Sequence, residues 1–272
     1  MSEEKTSYRA AAVQLVSGAD PSANLGRAAH WVAEAARQGA RLVVLPEYFG
    51  VMGHKETDKV GLAEAFGAGP MQDALAAMAR DNAVWLVGGT VPLVSPESGK
   101  VYNSTLLYNP EGERVARYDK IHLFGFSGLG ENYCESNTIV AGTKPLKAAT
   151  ALGEIAFGVC YDLRFPELFR ALAPFDVMVL PAAFTATTGE AHWEPLIRAR
   201  AIENQCYLIA SAQGGLHENG RKTHGHSMIV DPWGRVLAEL PEGEGVILAD
   251  IQINTLQSVR TRLPALAHRV LN

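Results

Sequence analysis

Three side chains in this 272-residue sequence stand where their chemistries could be used together. Cys160 follows the apolar run Phe157-Gly158-Val159 and precedes Tyr161-Asp162-Leu163-Arg164-Phe165-Pro166-Glu167, which leads into a helical pattern. A sharp strand-to-helix turn of this kind lifts a nucleophile out of a sheet and leaves nearby backbone N–H groups free to bind an oxyanion. Glu47 comes just after Leu42-Val43-Val44-Leu45-Pro46, at the carboxyl end of a strand, where α/β sheets place their working residues. In a cleft such a carboxylate serves as a general base. Lys120 lies in Arg117-Tyr118-Asp119-Lys120-Ile121-His122-Leu123, and its ammonium could meet developing negative charge. Taken singly, each has an ordinary alternative: a small core cysteine, a solvated loop acid, a solvated lysine.

The elements that must position these groups alternate along the chain. Residues 10–15 read as a buried strand, 24–38 as a helix with Asn24 as N-cap and Gly39 as its left-handed stop, and 42–45 as a second strand. A helix over 71–81 leads to a strand at 84–88. Strands at 101–108 and 115–118 are joined by the turn Asn109-Pro110-Glu111-Gly112 and must be antiparallel. The second half repeats the theme, with a strand at 155–160, a helix at 166–172 and a strand at 177–180. A helix at 192–204 and strands at 207–212, 227–230, 236–240 and 246–251 follow, with Asp231-Pro232-Trp233-Gly234 as a turn. The runs 42–46 and 177–181 are alike, each an aliphatic strand ended by proline, which suggests two topologically similar halves. Strands so continuously apolar must be covered on both faces. The expected fold is a single α/β domain over 1–272, an αββα sandwich of two mixed sheets with outer helices. Its core spans about 8–252, and 253–272 is left for a subunit contact.

Composition narrows the function. Hydrophobic residues make up 47% of the chain, enough for a substantial core, and the net charge of −5 offers no basic excess for nucleic acid or an anionic membrane. No apolar stretch is long enough to span a bilayer. The three cysteines, Cys134, Cys160 and Cys206, have no C-x-x-C spacing, so neither a disulfide framework nor a zinc knuckle is expected and a reducing cytoplasm is the natural setting. Asn103-Ser104-Thr105 matches a glycosylation acceptor and reads as chance within a strand.

Leu45-Pro46-Glu47, Tyr118-Asp119-Lys120-Ile121-His122-Leu123 and Gly158-Val159-Cys160-Tyr161-Asp162-Leu163-Arg164-Phe165-Pro166-Glu167 together resemble the signatures of the nitrilase, or carbon–nitrogen hydrolase, superfamily. The likeness runs from residue 10 to about 250. It implies Cys160 as nucleophile, Glu47 as general base, Lys120 as the cation for the tetrahedral intermediate, and a second carboxylate at Glu135, with Glu131 the competing assignment. The backbone N–H of Tyr161 completes the oxyanion site. The implied reaction is hydrolysis of a small-molecule carboxamide to carboxylate and ammonia through a thioester, with no metal or organic cofactor.

Phe-Pro-Glu after the elbow, Thr-Gly-Glu-Ala-His-Trp from Thr188 and Gly-His-Ser-Met-Ile-Val-Asp-Pro-Trp-Gly from Gly225 look most like the deaminated glutathione amidase branch, with the omega-amidases as cousins. Such substrates carry a carboxylate, for which Arg164 and Thr187 are candidates; Tyr48 and Phe184 would wall the pocket. Residues 124–130 depart from the branch pattern and are expected to border the site. The resemblance also implies a homodimer or higher homo-oligomer. A metal hydrolase built on His192, His224 and His226 is the main rival, weakened by the absence of helical His spacing. A non-catalytic binding protein of the same fold is another, and a nucleotide site has no glycine-rich loop to support it.

Overall fold

The computed structural model describes residues 7–128 and 131–271. Two mixed sheets carry the chain. The first runs in the order Gly245–Ile251, Tyr8–Gln14, Ala40–Val44, Trp85–Val87, Val101–Tyr108, Val91–Val94, with Arg114–Asp119 paired on Val101–Tyr108. The second runs Val236–Leu240, Ser227–Val230, Tyr207–Ala212, Val177–Ala182, Gly153–Phe157, Lys147–Thr150. In each sheet the central strands are parallel: Tyr8–Gln14 with Ala40–Val44, and Gly153–Phe157 with Val177–Ala182 and Tyr207–Ala212.

Alternation along Tyr8–Gln14 explains the layering. Ala10 and Ala12 join a core shared with the second sheet, whereas Ala11 and Val13 pack with Ala28, Val32 and Leu75 from the helices Pro21–Arg37 and Pro70–Asp81. The helix Ala186–Asn204 covers the second sheet through Trp193, Ile197 and Ala201. Both faces of the parallel strands are thus dry, which is why their sequences carry no polar alternation. The outcome is the expected four-layer sandwich.

Several boundaries differ from the sequence reading. Asp20, not Asn24, caps the first helix, accepting from Ser22 N at 2.9 Å, with Pro21 in its first turn. Asn24 instead lies buried inside that helix and exchanges hydrogen bonds with Gly18 while donating to Gly50 O. The strand expected to end at proline continues through Pro181 to Ala182. On one side it pairs with Tyr207–Ala212, and on the other its pairing with Gly153–Phe157 stops at Val179, so the missing N–H of Pro181 breaks no ladder on that side. The helix expected from 192 begins six residues earlier, capped by Thr185, because Gly189 is not a breaker here. A Cβ at Gly189 would stand 2.3 Å from the His224 ring, so the glycine permits a close packing.

The edge strands Val91–Val94 and Lys147–Thr150 and the hairpin Gly125–Gly128/Glu131–Cys134 were not anticipated. Of the atypical segment 124–130, residues 129 and 130 lie outside the described residues. The C-terminal segment, read as lacking a partner, forms the helix Ile253–Arg262 against its own chain. Ile253 and Leu256 are buried, and Arg260 bonds Asp176 and the carbonyls of Phe175 and Gln205. Beyond it Leu263, Val270 and Leu271 are exposed.

Candidate active site

The carboxyl ends of the two sheets' parallel strands meet, and the chemically suggestive residues converge there. Gly153–Phe157 ends before Cys160, which sits not in the strand but at the head of a single 3-10 turn, Cys160–Arg164, with φ of 49°. This left-handed conformation in a non-glycine residue costs of order 1 kcal/mol or more and is held by its surroundings. Asp162 supplies much of the hold. Its Oδ2 accepts from Val159 N at 2.9 Å and from the Tyr118 hydroxyl at 2.7 Å, and its Oδ1 accepts from His122 N at 2.9 Å and lies 2.8 Å from His122 Nδ1. As the first N–H groups of a helical turn have no intrahelical acceptor, that of Tyr161 could meet an oxyanion.

Glu47, Lys120 and Glu135 form one buried chain of charge beside the thiol. Lys120 Nζ lies 2.9 Å from Glu47 Oε1 and 2.8 Å from Glu135 Oε2. Glu47 also accepts from Asn103 Nδ2 at 2.9 Å and, across the sheets, from Ala183 N at 2.9 Å. Glu135 accepts from the Tyr48 hydroxyl at 2.8 Å and from Phe124 N at 2.6 Å. Glu131, the competing second acid, is elsewhere, accepting from Thr187 Oγ1 at 3.2 Å.

The electrostatics follow from burial and pairing. Desolvation alone would pull the Lys120 ammonium down, but Glu135 and Glu47 outweigh it and hold the proton on more firmly than usual. Burial would likewise raise Glu135, yet Lys120 and the hydrogen bonds from Phe124 N and Tyr48 bring it below the carboxylate range. The Cys160 thiol is pushed well above its ordinary value, by burial first and by Glu47 next, with Lys120 opposing. At neutral pH this sulfur carries its proton until a base removes it.

Cys160, Glu47, Glu135, Tyr161, Arg164, Phe184 and Phe124 line one pocket, together with Ala183, Thr185, Thr188 and Arg221. Arg164 has no acidic partner among the described residues; its Nη1 lies 3.2 Å from His192 Nδ1, and its guanidinium stacks 5.2 Å from the Phe184 ring centroid. Two expected lining residues stand elsewhere. Tyr48 supports Glu135 from a neighbouring pocket, and Thr187 turns to the hairpin at Glu131 because the helix starts at Ala186, which puts Thr185 and Thr188 on the pocket side. His226 pairs with Glu239 and stacks on His224, and among the described residues no cluster of three His, Cys, Asp or Glu is placed to hold a metal ion. Among the described residues no helix is long and apolar enough to cross a membrane.

Asn103, Asp162 and Arg221 escaped the sequence reading. A polar triplet, Asn103-Ser104-Thr105, inside an apolar strand was the available signal for the first, and the motif containing Cys160 held the second. Arg221, in a turn far along the chain, gave no signal.

Comparison with known proteins places these features in context. Residues 9–261 match the family described as carbon-nitrogen hydrolase. The deaminated glutathione amidase of Synechocystis is 45% identical over 269 residues, 97% of this chain and 98% of that protein. Nit3 of Saccharomyces cerevisiae, a member of branch 10 of the nitrilase superfamily, superposes with a TM-score of 0.87 at 32% identity, covering 98% of this chain and 97% of that one. An amidase from Nesterenkonia sp. AN1 superposes with a TM-score of 0.78 at 28% identity over 94% of this chain and 98% of its own; a mutant of it shows acrylamide added at the active-site cysteine.

Proposed function

This chain belongs to the carbon-nitrogen hydrolase family, and from that premise we propose that it hydrolyses deaminated glutathione, with Cys160 as nucleophile and Glu47 as base. It is an amide hydrolase that acts on carbon–nitrogen bonds other than peptide bonds. Glu47 takes the Cys160 proton as the sulfur attacks the amide carbon, and the negative charge on oxygen is met by the Lys120 ammonium and the Tyr161 N–H. The carbon–nitrogen bond then breaks, and Glu47 returns its proton to the departing amine. In the second half Glu47 deprotonates water, which cleaves the thioester and restores the thiol. In deaminated glutathione the scissile amide joins a 2-oxo acyl group to a dipeptide, so the amine that leaves is that of the dipeptide; a primary carboxamide would release ammonia by the same steps.

The observation that carries this reading is the placement of a buried Cys160 in the same pocket as two carboxylates clamped on Lys120. Such a thiol needs an adjacent base, and the orientation of Glu47 is fixed at both oxygens. Glu135 keeps Lys120 charged and placed. Arg164 is the group for the acyl carboxylate, with Phe184 as wall. Omega-amidase activity on 2-oxoglutaramate is the second reading, since the same acyl group fits the same contacts. Release of product from deaminated glutathione, 2-oxoglutaramate, a nitrile and an N-carbamoyl compound would decide among them: kcat/KM should be highest for the first by at least about tenfold, as expected when a polar site is matched to its substrate. Equal or better turnover of the nitrile would refute the assignment, and Cys160→Ala should abolish all activity in a folded protein.

A free catalytic thiol suits a reducing compartment, and we place the enzyme in the cytoplasm. The exposed Leu263, Val270 and Leu271 support a homodimer, to be tested by light scattering; a monomer at every concentration would count against it.

A further inference from the structure

Glu47, Glu135 and Lys120 together carry one net negative charge, two acids against one cation, which would repel an anionic substrate. Two arginines on the pocket wall reverse that sign, Arg164 and Arg221. Arg221 is the less expected. Its Nη2 donates to Ala183 O at 3.0 Å, its guanidinium lies 5.1 Å from the Tyr133 ring centroid, and its Nε is buried without a hydrogen-bond partner. No carboxylate pairs with it among the described residues. Burying an arginine N–H unpaired is costly, and an anionic ligand group reaching the pocket would offset that cost.

The position is fixed in advance of binding. Arg221 sits on a turn closed by bonds from Gly220 N to His217 O and from His217 N to Arg221 O, and Asn219 Oδ1 accepts from Arg221 N at 2.9 Å. It is also the one described residue shared by the catalytic pocket and a second, polar pocket lined by Tyr48, Lys55, Glu56, Lys59 and Asn219. Two lysines and Arg221 against one glutamate make that second pocket cationic.

The substrate's dimensions decide what Arg221 receives. In the acyl half the carboxylate is four bonds from the scissile carbon, about 5 Å in an extended chain, and lies on the opposite side of the scissile bond from the leaving group, where Arg164 is the group assigned to it. The second carboxylate of deaminated glutathione lies at the end of a dipeptide, about 7 Å beyond the scissile nitrogen in an extended chain, and so requires a wall that opens onto further space. We propose that Arg221, with the polar pocket behind it, receives the carboxylate at the far end of the leaving group and so selects amides whose amine is an anionic peptide. The inference rests on the amide-hydrolase reading above and names the half of the substrate that reading left unassigned.

The test compares deaminated glutathione with 2-oxoglutaramate, which has the same acyl group and no peptide, in the wild-type enzyme, Arg221→Ala and Arg221→Lys. In Arg221→Ala the kcat/KM for deaminated glutathione should fall on the order of 10- to 100-fold, mainly through KM, the loss expected for a charge-assisted pair. The loss for 2-oxoglutaramate should be at least about tenfold smaller, and Arg221→Lys should recover part of the difference. Equal losses on both substrates would overturn the assignment, as would unchanged selectivity. Should Arg221→Ala not fold, product inhibition of the wild-type enzyme decides: cysteinylglycine should inhibit about tenfold more strongly than its C-terminal amide, and equal inhibition would overturn the proposal. Wild-type enzyme inactive on both compounds would instead strike the deaminated glutathione reading.

Discussion

Tyr118, on the first sheet, donates its hydroxyl to Asp162 Oδ2 at 2.7 Å, in the turn that carries the nucleophile at the end of the second. The sulfur and its base are borne by different sheets, so their separation depends on such ties. Asp162 is wholly buried and also holds Val159 N and His122 N, the two backbone groups that set the elbow and the stretch after Lys120. Asp162→Ala should therefore cost about 2–3 kcal/mol, since it leaves buried donors unpaired. Tyr118→Phe removes only one of the bonds and should cost about 1 kcal/mol. Urea unfolding measures both, and a similar loss for the two would show that Asp162 does no more than accept from Tyr118.

The buried thiols set an alkaline limit on stability. Burial and Glu47 raise Cys160 in the folded protein, and burial raises Cys206. A group whose folded pKa is raised contributes stability that is complete below the unfolded value and is lost as pH rises above it. For a thiol the unfolded value is about 8.5. Between about pH 8.5 and 10, below the range where Lys120 enters, each thiol should lower the unfolding free energy by about 1.4 kcal/mol per pH unit. Cys160→Ala should reduce that slope by one proton's worth, and a slope unaffected by the substitution would mean that the thiol ionises in the folded enzyme.

Asn103 fixes one oxygen of Glu47, so a charge at this position should report on the base. Asn103→Asp sets a third carboxylate against the Glu47–Lys120–Glu135 chain, and like charge raises the pKa of its neighbours. The acidic limb of the kcat/KM profile should move to higher pH, while Asn103→Ala, which only removes one donor from the carboxylate, should lower kcat and move that limb the same way by less. A pH profile for Asn103→Asp that overlays the wild type would separate Asn103 from the base.

What the sequence revealed and what it hid have physical causes. Strands buried on both faces announce themselves as continuous apolar runs, so Ala40–Val44, Val101–Tyr108 and Tyr207–Ala212 were legible to within two residues at either end. Val91–Val94 is short and interrupted by Pro92, and the strands Gly125–Gly128 and Glu131–Cys134 are largely exposed, so both passed as loops. At the site, Cys160, Glu47 and Lys120 stood out because each closes or follows a strand with an atypical residue. Asn103 and Arg221 act through distant partners: Asn103 reaches across 56 positions to Glu47, and Arg221 bonds Ala183 at a separation of 38. Local pattern carries no record of such contacts. Thr187 lies on a helix whose start at Ala186 the sequence did not show, and Thr185 and Thr188 are the threonines that line the pocket.

Lys120 joins both acids, so its removal separates structural from catalytic roles. Lys120→Met leaves Glu47 and Glu135 buried with no cation between them. One must then hold a proton, because two adjacent buried carboxylates do not both ionise. Stability should drop by about 3–5 kcal/mol, as when one partner of a buried pair is deleted, and kcat should fall on the order of a thousandfold with the oxyanion's cation gone. Adding Glu135→Gln to Lys120→Met removes the surplus charge while keeping one acceptor oxygen for Phe124 N and an amide N–H that the Tyr48 hydroxyl can accept, and should restore about half or more of the lost stability. Activity should stay lost, because neutralising Glu135 puts no positive charge beside the thioester-forming carbon. A double variant that regains turnover along with stability would assign Lys120 to holding the fold and leave the tetrahedral intermediate to the backbone of Tyr161.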